Sequence, residues 1–551
     1  MSQSDRGVTA CAYQLHRSVP ADRWCVTGFD LAFLRHEVED ALRSGQISPQ
    51  PDDDISEGYG PSIYTVNEQY IKPVTHHAGK MSWALMRHPE GLECDVFVSH
   101  AWQEGVFEFL TKVRHSWPRG LQTAWCCMLA NPQNLDISSF LQSPETSPFA
   151  VALRAAEVTL VVPNRHQSVY TRLWCAYEAY LAQEEGKTIL IAKSSNRYKI
   201  LRALRWMVLA AIFGAFFGIA ASFLSLGQPY VVPAPFAIMA LGFSLVINKD
   251  VFRWVMHLLG QLLCWVQVAH DFGGHFLLPQ QHPGISRQET QVLNLCFWVM
   301  VAVGFCVMEV DRINARCTVS EAEELRQGYR GSIQYATCSK EADAASILKE
   351  IGDELHHVDH AIHVLLTAGM STPALREIAE AVEIEGAAFA EISGAFLSLG
   401  PFGSMAVALT LLDFLKGRGH GYQVALATAS LLLRLLLLVL LCRRRRDEQR
   451  FILKVMNKLV FVAVLGWTLL VCLYMFHLST RVVFSLWLLI TDLCLLLIMC
   501  FALLGIRGTA LLPLGFSVLR IFFSRGNNAW DALEGVCAEV DADETSETDS
   551  D

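Results

Sequence analysis

The apolar residues of this 551-residue chain are very unevenly distributed. Residues 1–200 alternate short apolar runs with polar stretches, as soluble domains do, whereas long apolar runs dominate the chain after Leu201. A helix needs about 20 apolar residues to cross a membrane. The predicted spans are Trp206–Leu226, Val231–Ile247, Trp254–Val268, Val292–Val310, Ile392–Leu412, Tyr422–Cys442, Val455–Phe476 and Val482–Leu504. The pattern predicts a soluble N-terminal region and an all-α multi-pass transmembrane bundle.

Short apolar runs also occur within the soluble region, separated by polar or helical stretches. These runs are Val96–Val98, Ala124–Ala130, Val158–Val162 and Thr188–Ala192. Near-continuous apolar strands between helices are typical of a parallel sheet that is covered on both faces. Ligands of such sheets bind at the carboxyl ends of the strands. Ser99, His100 and Trp102 follow the first run and residues 164–167 follow the third, so we expect them at the ligand-binding edge.

Two short motifs in this region resemble those of TIR (Toll/interleukin-1 receptor) domains. The first is Asp95-Val96-Phe97-Val98-Ser99, and the second is Trp174-Cys175-Ala176-Tyr177-Glu178. The resemblance covers about 100 residues and implies an α/β, flavodoxin-like parallel sheet. In family members that cleave NAD the glutamate of the second motif is catalytic, which implies a catalytic role for Glu178. Ser99, Trp102 and Trp174 are then expected to bind the substrate NAD, and no cofactor is implied.

The region departs from the TIR pattern in ways that leave a second hypothesis open. The loop 131–136 lacks the residues that the family uses for self-association. After Thr188–Ala192 the chain runs almost at once into a membrane segment, so the family's fifth strand and last helix are expected to be missing. The first hypothesis is a membrane-anchored signalling protein that hydrolyses NAD through Glu178. The second is a non-catalytic module that docks TIR-like or other cytosolic proteins at the membrane.

Composition supports a membrane protein and argues against several other classes. Hydrophobic residues make up 52% of the chain and charged residues only 18%, which is unusual for a soluble enzyme. The net charge of −10 owes much to the last dozen residues, and no basic face with interleaved aromatics predicts nucleic-acid binding. The 16 cysteines lack paired spacing, which favours reduced thiols over a disulfide framework. Residues 1–24 have no signal-peptide pattern, so we expect the N-terminus in the cytosol.

Basic residues predict the orientation of the membrane region. Lysines and arginines are enriched at the cytoplasmic ends of spans. Placing the basic residues 193–205, the run Arg443–Arg446, and Arg507, Arg520 and Arg525 all on the cytosolic side requires an even number of spans, hence eight, with both termini cytosolic. Arg443–Arg446 would then lie next to anionic lipid. Trp254–Val268 is the weakest span, because His257, Gln261 and Gln267 interrupt it, and an interfacial helix is the alternative.

Two opposite charges, Arg434 and Asp492, fall near the middle of predicted spans. A lone charge at that depth costs roughly 2.5–3.5 kcal/mol on insertion scales, and pairing relieves much of this cost. We therefore predict that the two side chains face each other inside the bundle. A structural pair is one interpretation, and a transport or gating role is another. The latter gives a third hypothesis, a channel or transporter with a TIR-like regulatory domain.

The predicted division of the chain includes a soluble cytosolic insert at 311–391. In this insert we predict a strand at Ser332–Thr337, a helix capped by Ser339, and a helix opened by Thr372 and Pro373. His356, His360 and His363 share a helix face, which we interpret as a solvated stripe rather than a metal site. The other divisions are an N-terminal extension (1–90), the TIR-like domain (91–195), membrane regions (200–310 and 392–525) and a disordered acidic tail (526–551).

Overall fold

In a computed structural model, the chain forms two compact units. The first unit contains Met1–Ser195 and Arg316–Glu380, and the second contains Asn196–Ala315 and Ala381–Asp551. The predicted acidic tail and the Ser339 cap lie outside the described residues. The structure describes residues 3–54, 56, 58–141, 143–223, 233–246, 249–273, 285–338, 340–384, 387, 391–415, 417, 421–475 and 480–523.

A mixed sheet of six strands forms the centre of the first unit in the part of the chain that is described. Its strands are β1 (Val26–Thr27), β2 (Val96–Ser99), β3 (Thr123–Cys126), β4 (Val158–Val161), β5 (Thr188–Ile191) and β6 (Met370–Ser371). The order across the sheet is β1-β3-β2-β4-β5-β6. The central four strands are parallel, whereas β1 and β6 pair antiparallel at the two edges. The predicted wholly parallel sheet is therefore wrong, because edge strands of two residues leave no periodic signal.

Helices cover both faces of the sheet. Aromatic rings fill the layer under one face: Phe97 stacks on Trp125 at 5.2 Å between centroids, and Trp125 contacts Phe149 at 5.2 Å.

The last part of the predicted strand Ala124–Ala130 is helical. The helices of this unit are Gln3–Ser18, Gly28–Arg43, Ile63–Val66, Lys72–His77, Trp83–Arg87, Val106–Ser116, Cys127–Ala130, Pro148–Ala155, Leu173–Glu184, Glu341–Ile351, Leu355–Ala368, Pro373–Ile378 and the end of Ile285–Arg326.

Residues 316–380 belong to the α/β unit, although the sequence suggested a separate insert. Their strand β6 lies beside β5, and their helix Leu355–Ala368 packs against Leu173–Glu184. The buried ammonium of Lys112 lies 2.7 Å from Glu324 and 3.1 Å from Glu321 of this segment. The edge that we expected to lack its fifth strand is therefore filled by a distant part of the chain.

The local predictions for this segment had mixed outcomes. Thr372 caps the helix Pro373–Ile378 as predicted, since its hydroxyl accepts a hydrogen bond from the Leu375 N–H. The predicted strand Ser332–Thr337 is wrong, because its centre, Ile333–Tyr335, is a 3-10 helix. Only Thr337 forms a bridge among these described residues, with Arg172.

The second unit is helical. Within the described residues, seven of the helices are long and apolar enough to cross a membrane. These are Arg197–Phe223, Asp250–Phe272, Val292–Arg326, Ser393–Leu412, Val424–Arg443, Arg446–Leu470 and Leu489–Ala510. The predicted span Val231–Ile247 corresponds to a shorter apolar helix, Pro233–Val246. The helices of the unit run Arg197–Phe223, Pro233–Val246, Asp250–Phe272, Ile285–Arg326, Ser393–Leu399, Pro401–Leu415, Gly421–Arg443, Arg446–Met475, Thr480–Ala510 and Gly515–Phe523.

The helix that the sequence left in doubt is well packed. Asp250–Phe272 includes the predicted span Trp254–Val268 and extends beyond both of its ends. Its polar residues His257, Gln261 and Gln267 are buried within the unit, at most 5% exposed. An interfacial helix would instead turn these side chains toward water. The burial favours a helix within the bundle.

Candidate functional site

The chain changes direction across the sheet between β2 and β4. The connection after β2 leads to β3 on one side, and the chain then crosses to β4 on the other side. Ligands of open α/β sheets bind in the crevice at the carboxyl ends of the strands, where such a reversal occurs. Ser99 ends β2, and the segment Pro163–Ser168 follows β4. These residues mark the candidate site.

Glu178 reaches this site from the helix Leu173–Glu184, and its side chain lies beside the Ser99 hydroxyl. Glu178 is only 6% exposed. Burial raises the pKa of its carboxyl from 4.5 to about 7, against the opposing effects of Ser99, His100 and Arg172. The structure thus brings together Ser99 and Glu178, which the sequence predicted to share a site.

Two buried polar atoms in this region lack partners. Among the described residues, no hydrogen-bond partner is found for Glu178 Oε2 or the Tyr170 hydroxyl. Tyr170 lies within electrostatic range of Glu178, and its burial raises the pKa of its phenol well above the usual value. An unsatisfied buried polar group costs about 1–3 kcal/mol. A bound polar ligand would relieve that cost.

Tyr170 also lines a cavity of about 270 Å³. The segment after β4 contributes Gln167 and Thr171 to its wall, and residues 328–337 contribute Tyr329 and Tyr335. The Tyr329 hydroxyl is held by Asp359, to which it donates a hydrogen bond of 3.1 Å. The cavity wall is therefore formed jointly by the segment after β4 and by residues 328–337, which belong to the part of the chain that supplies β6.

The two predicted tryptophans lie in other surroundings. The Trp174 ring stacks on Phe149 at 5.3 Å and contacts Tyr177 at 6.1 Å, within the aromatic layer under the sheet. The Trp102 indole N–H donates to Cys127 Sγ at 3.2 Å. Substrate binding by either ring stays a prediction.

A second polar cluster at the end of β2 was not predicted. His100 Nε2 lies 3.1 Å from Cys127 Sγ, and His100 Nδ1 lies 3.1 Å from Glu104 Oε1. Burial alone would lower the pKa of His100, but Cys127 and Glu104 outweigh it and raise this pKa to about 10. Burial raises the pKa of Glu104 to about 6, although His100 and Lys112 act against it. The His-x-x-x-Glu spacing directly after a strand was the available sequence signal.

In the second unit, Arg434 and Asp492 lie together. Arg434 Nη2 is 3.9 Å from Asp492 Oδ1, and the Ser430 hydroxyl donates to the same carboxylate oxygen at 2.8 Å. Arg434 Nη1 also hydrogen-bonds Ser430. A serine therefore links the two charges that the sequence singled out.

Helix Asp250–Phe272 carries a longer set of buried polar contacts within the same unit. His257 Nδ1 lies 2.8 Å from Glu309 Oε2, and Arg312 Nη2 lies 2.7 Å from Glu309 Oε1. Farther along the helix, Gln267 Nε2 donates to Asp271 Oδ1 at 2.9 Å. Polar groups therefore occur at both ends of this helix.

Within the described ranges, no group of three or more His, Cys, Asp and Glu side chains is arranged to hold a metal ion. His360 Nε2 instead donates to the Arg376 carbonyl at 3.0 Å, and His363 lies beside Thr367. Comparisons of the chain with protein-family models, with curated proteins and with solved structures find no match.

Proposed function

We propose that this integral membrane protein carries a cytosolic TIR-like unit that hydrolyses the N-glycosidic bond of NAD through Glu178. The observation that supports this function is the Glu178 carboxylate, buried beside Ser99 where the sheet changes direction, with an oxygen that lacks a partner among the described residues. The apolar helices of the second unit suit a lipid bilayer in length and composition. Anionic lipid at Arg443–Arg446 and protein partners of the TIR-like unit belong to the same proposal.

The chemistry requires a negative charge beside the ribose. When the bond between nicotinamide and ribose breaks, positive charge develops on the sugar, and a preorganised carboxylate stabilises it. Water then adds to the ribose carbon, so that NAD and water yield nicotinamide, ADP-ribose and a proton. With a pKa of about 7, Glu178 is largely ionised at slightly alkaline pH. A buried position strengthens the interaction, because the local dielectric constant is low.

In this proposal the substrate enters at Tyr170. This residue is part of the cavity wall, and its phenol lies within electrostatic range of Glu178. Tyr329 and Tyr335 supply aromatic rings that suit a nucleobase, and Arg330 supplies a positive charge that suits a phosphate. The cavity alone is smaller than a dinucleotide needs, since ligand pockets usually span about 300–1,000 Å³. Binding therefore requires Tyr170 to move, which would join the cavity to the carboxylate.

The test is nicotinamide release from NAD by the full-length protein in lipid nanodiscs. Glu178→Gln removes only the charge, and loss of one electrostatic stabiliser typically lowers turnover by about 10²–10³-fold. Glu184→Gln, an exposed position of the same helix, is the matched control and should keep the wild-type rate. An inactive wild type, or a Glu178→Gln variant that keeps its rate, overturns the proposal. The docking hypothesis is no longer supported by a missing fifth strand, because β6 fills that edge.

A second function, proton conduction through the membrane bundle, is favoured by the polar residues of helix Asp250–Phe272. Ionisable groups inside membrane spans commonly mark ion or proton pathways. His257 is fully buried, and its Nε2 lacks a hydrogen-bond partner among the described residues. Gln261 and Gln267 continue the polar face toward Asp271. We propose that protons move along this face, with His257 and Glu309 as carriers.

Proton flux into liposomes that contain the full-length protein and an internal pH dye tests this second function. A potassium gradient with an ionophore supplies the driving potential. We expect flux in the wild type and at least a tenfold loss in His257→Gln, whereas His363→Gln in the first unit leaves the flux unchanged. Flux no higher than in empty liposomes, or an equal rate in His257→Gln, contradicts this function.

A further inference from the structure

The thiol of Cys127 lies within a triad of side chains. Its Sγ is 3.1 Å from His100 Nε2, and the other ring nitrogen of His100 is 3.1 Å from Glu104 Oε1. The Trp102 indole N–H also donates to this sulfur at 3.2 Å. A nucleophile within reach of a base, with the base oriented by a carboxylate, is the arrangement that activates cysteine and serine.

Hydrogen-bonding and cationic groups lie around the Cys127 sulfur. The thiolate is the reactive form of cysteine, and nearby cations and hydrogen-bond donors favour it. His100 and Trp102 contact the sulfur directly, and the Arg172 guanidinium lies within electrostatic range. Lys112 acts on Glu104 from the other side. The triad therefore carries cationic neighbours at both of its ends.

The neighbouring cysteines provide a contrast. Burial raises the pKa of Cys126 well above the usual value, and the adjacent thiols and Glu104 raise it further. Burial likewise raises the pKa of Cys175, and Glu178 adds to this effect. All three thiols are buried, with exposed fractions of 9% for Cys127, 4% for Cys175 and 1% for Cys126. Cys127 differs from the other two in its direct contacts with the His100 imidazole and the Trp102 indole N–H.

We propose that Cys127 is a modification site, a thiolate that hydrogen peroxide oxidises to a sulfenic acid. The sulfur attacks one peroxide oxygen, so that the S–O bond forms while the O–O bond breaks. Hydroxide leaves and takes the proton that His100 holds at Nε2, giving water and a neutral imidazole. The sulfur loses two electrons and the peroxide gains them. Glu104 is a positioning residue that keeps His100 oriented, and the Trp102 indole N–H donates a hydrogen bond to the sulfur.

Alkylation rates distinguish this site from an ordinary buried thiol. The full-length protein in detergent is treated with iodoacetamide between pH 5.5 and 9, and labelling of each cysteine is followed by mass spectrometry. An imidazolium–thiolate pair gives a Cys127 rate that is nearly constant from pH 6.5 to 8 and at least tenfold above that of Cys126. A neutral thiol next to a neutral imidazole instead gives a rate that rises about tenfold per pH unit until the thiol ionises, near 8.5 in an unperturbed cysteine. The second profile would overturn the proposal.

Variants and peroxide complete the test. His100→Gln should lower the Cys127 alkylation rate at pH 6.5 at least tenfold and restore the steep pH profile, and Glu104→Gln should have a smaller effect in the same direction. After treatment with hydrogen peroxide, dimedone should label Cys127, and it should do so unchanged in a Cys126→Ala variant. If His100→Gln fails to fold, the wild-type pH profile and the dimedone site still decide. Dimedone labelling of Cys126 or Cys175 rather than Cys127 would also refute the assignment.

Discussion

Replacing Glu178 with glutamine should stabilise the first unit at alkaline pH. Burial raises the pKa of this carboxyl from 4.5 to about 7 in the folded state. Glu178 therefore binds a proton more tightly in the folded protein than in the unfolded chain, so its contribution to stability is highest below pH 4.5 and falls as the pH rises through 7. Each pKa unit corresponds to about 1.36 kcal/mol. The ionised glutamate thus lowers the free energy of unfolding by about 3 kcal/mol at pH 8, and glutamine avoids this loss.

Urea denaturation of the full-length protein in detergent measures the effect, with hydrogen exchange of selected peptides as the readout. Peptides that cover Val96–Ser99 and Leu173–Glu184 report on the first unit alone. At pH 8 Glu178→Gln should unfold at a higher urea concentration than the wild type, and at pH 4.5 the two should coincide. Glu184→Gln removes an exposed charge from the same helix, so its midpoint should match the wild type at both pH values.

The pH dependence decides between two roles for this residue. If Glu178 were a structural residue stabilised by its partners, replacing it would lower the free energy of unfolding, above all at alkaline pH. If its charge is instead retained for function at the expense of stability, as is common at functional sites, the replacement raises the free energy of unfolding. A glutamine variant that is less stable at pH 8, or equally more stable at both pH values, would refute the reasoning.

Two further sets of substitutions test buried charges. Lys112 is buried with its ammonium within 3.4 Å of three glutamates, so Lys112→Met should lower the free energy of unfolding by about 3–5 kcal/mol, measured by urea titration. Lys72→Met, which breaks a more exposed helix pair, should cost under about 1 kcal/mol, and equal losses would contradict the role of burial. Arg434→Leu and Asp492→Leu should each reduce the folded yield in detergent more than the double variant does, because each single change strands a charge. Losses that simply add would show that the two charges do not interact.

The sequence was sufficient for the parallel centre of the sheet. Val96–Val98, Val158–Val162 and Thr188–Ala192 are short apolar runs between polar stretches, and each forms a central strand. Strands that are buried on both faces must be apolar along their whole length, which makes them visible without an alignment. The same pattern placed Ser99 at a carboxyl end, and the helix Leu173–Glu184 then brought Glu178 to it.

The edges of the sheet could not be predicted in this way. β6 has two residues and comes about 180 positions after its partner β5, with membrane helices between them. Its position depends on Gly369, whose left-handed conformation ends the helix Leu355–Ala368, and on the Thr372 cap that starts the next helix. A glycine that ends a helix and a threonine that caps the next one are both common local features, and neither predicts a strand between them. Only the packed structure shows that Met370–Ser371 pair with β5.

The polar residues of helix Asp250–Phe272 made it the weakest predicted span, yet the structure buries them within the second unit. His257, Gln261 and Gln267 argued against a span because an unpaired polar group is costly in a membrane. The cost depends on partners, however, and the partner of His257 lies about 50 residues later in the chain: the Glu309 carboxylate contacts both His257 and Arg312. Once paired, these groups add specificity to helix packing rather than exposing the helix to water. Removing Glu309 would therefore leave a buried histidine and a buried arginine without their shared carboxylate, a larger loss than the removal of His257 alone.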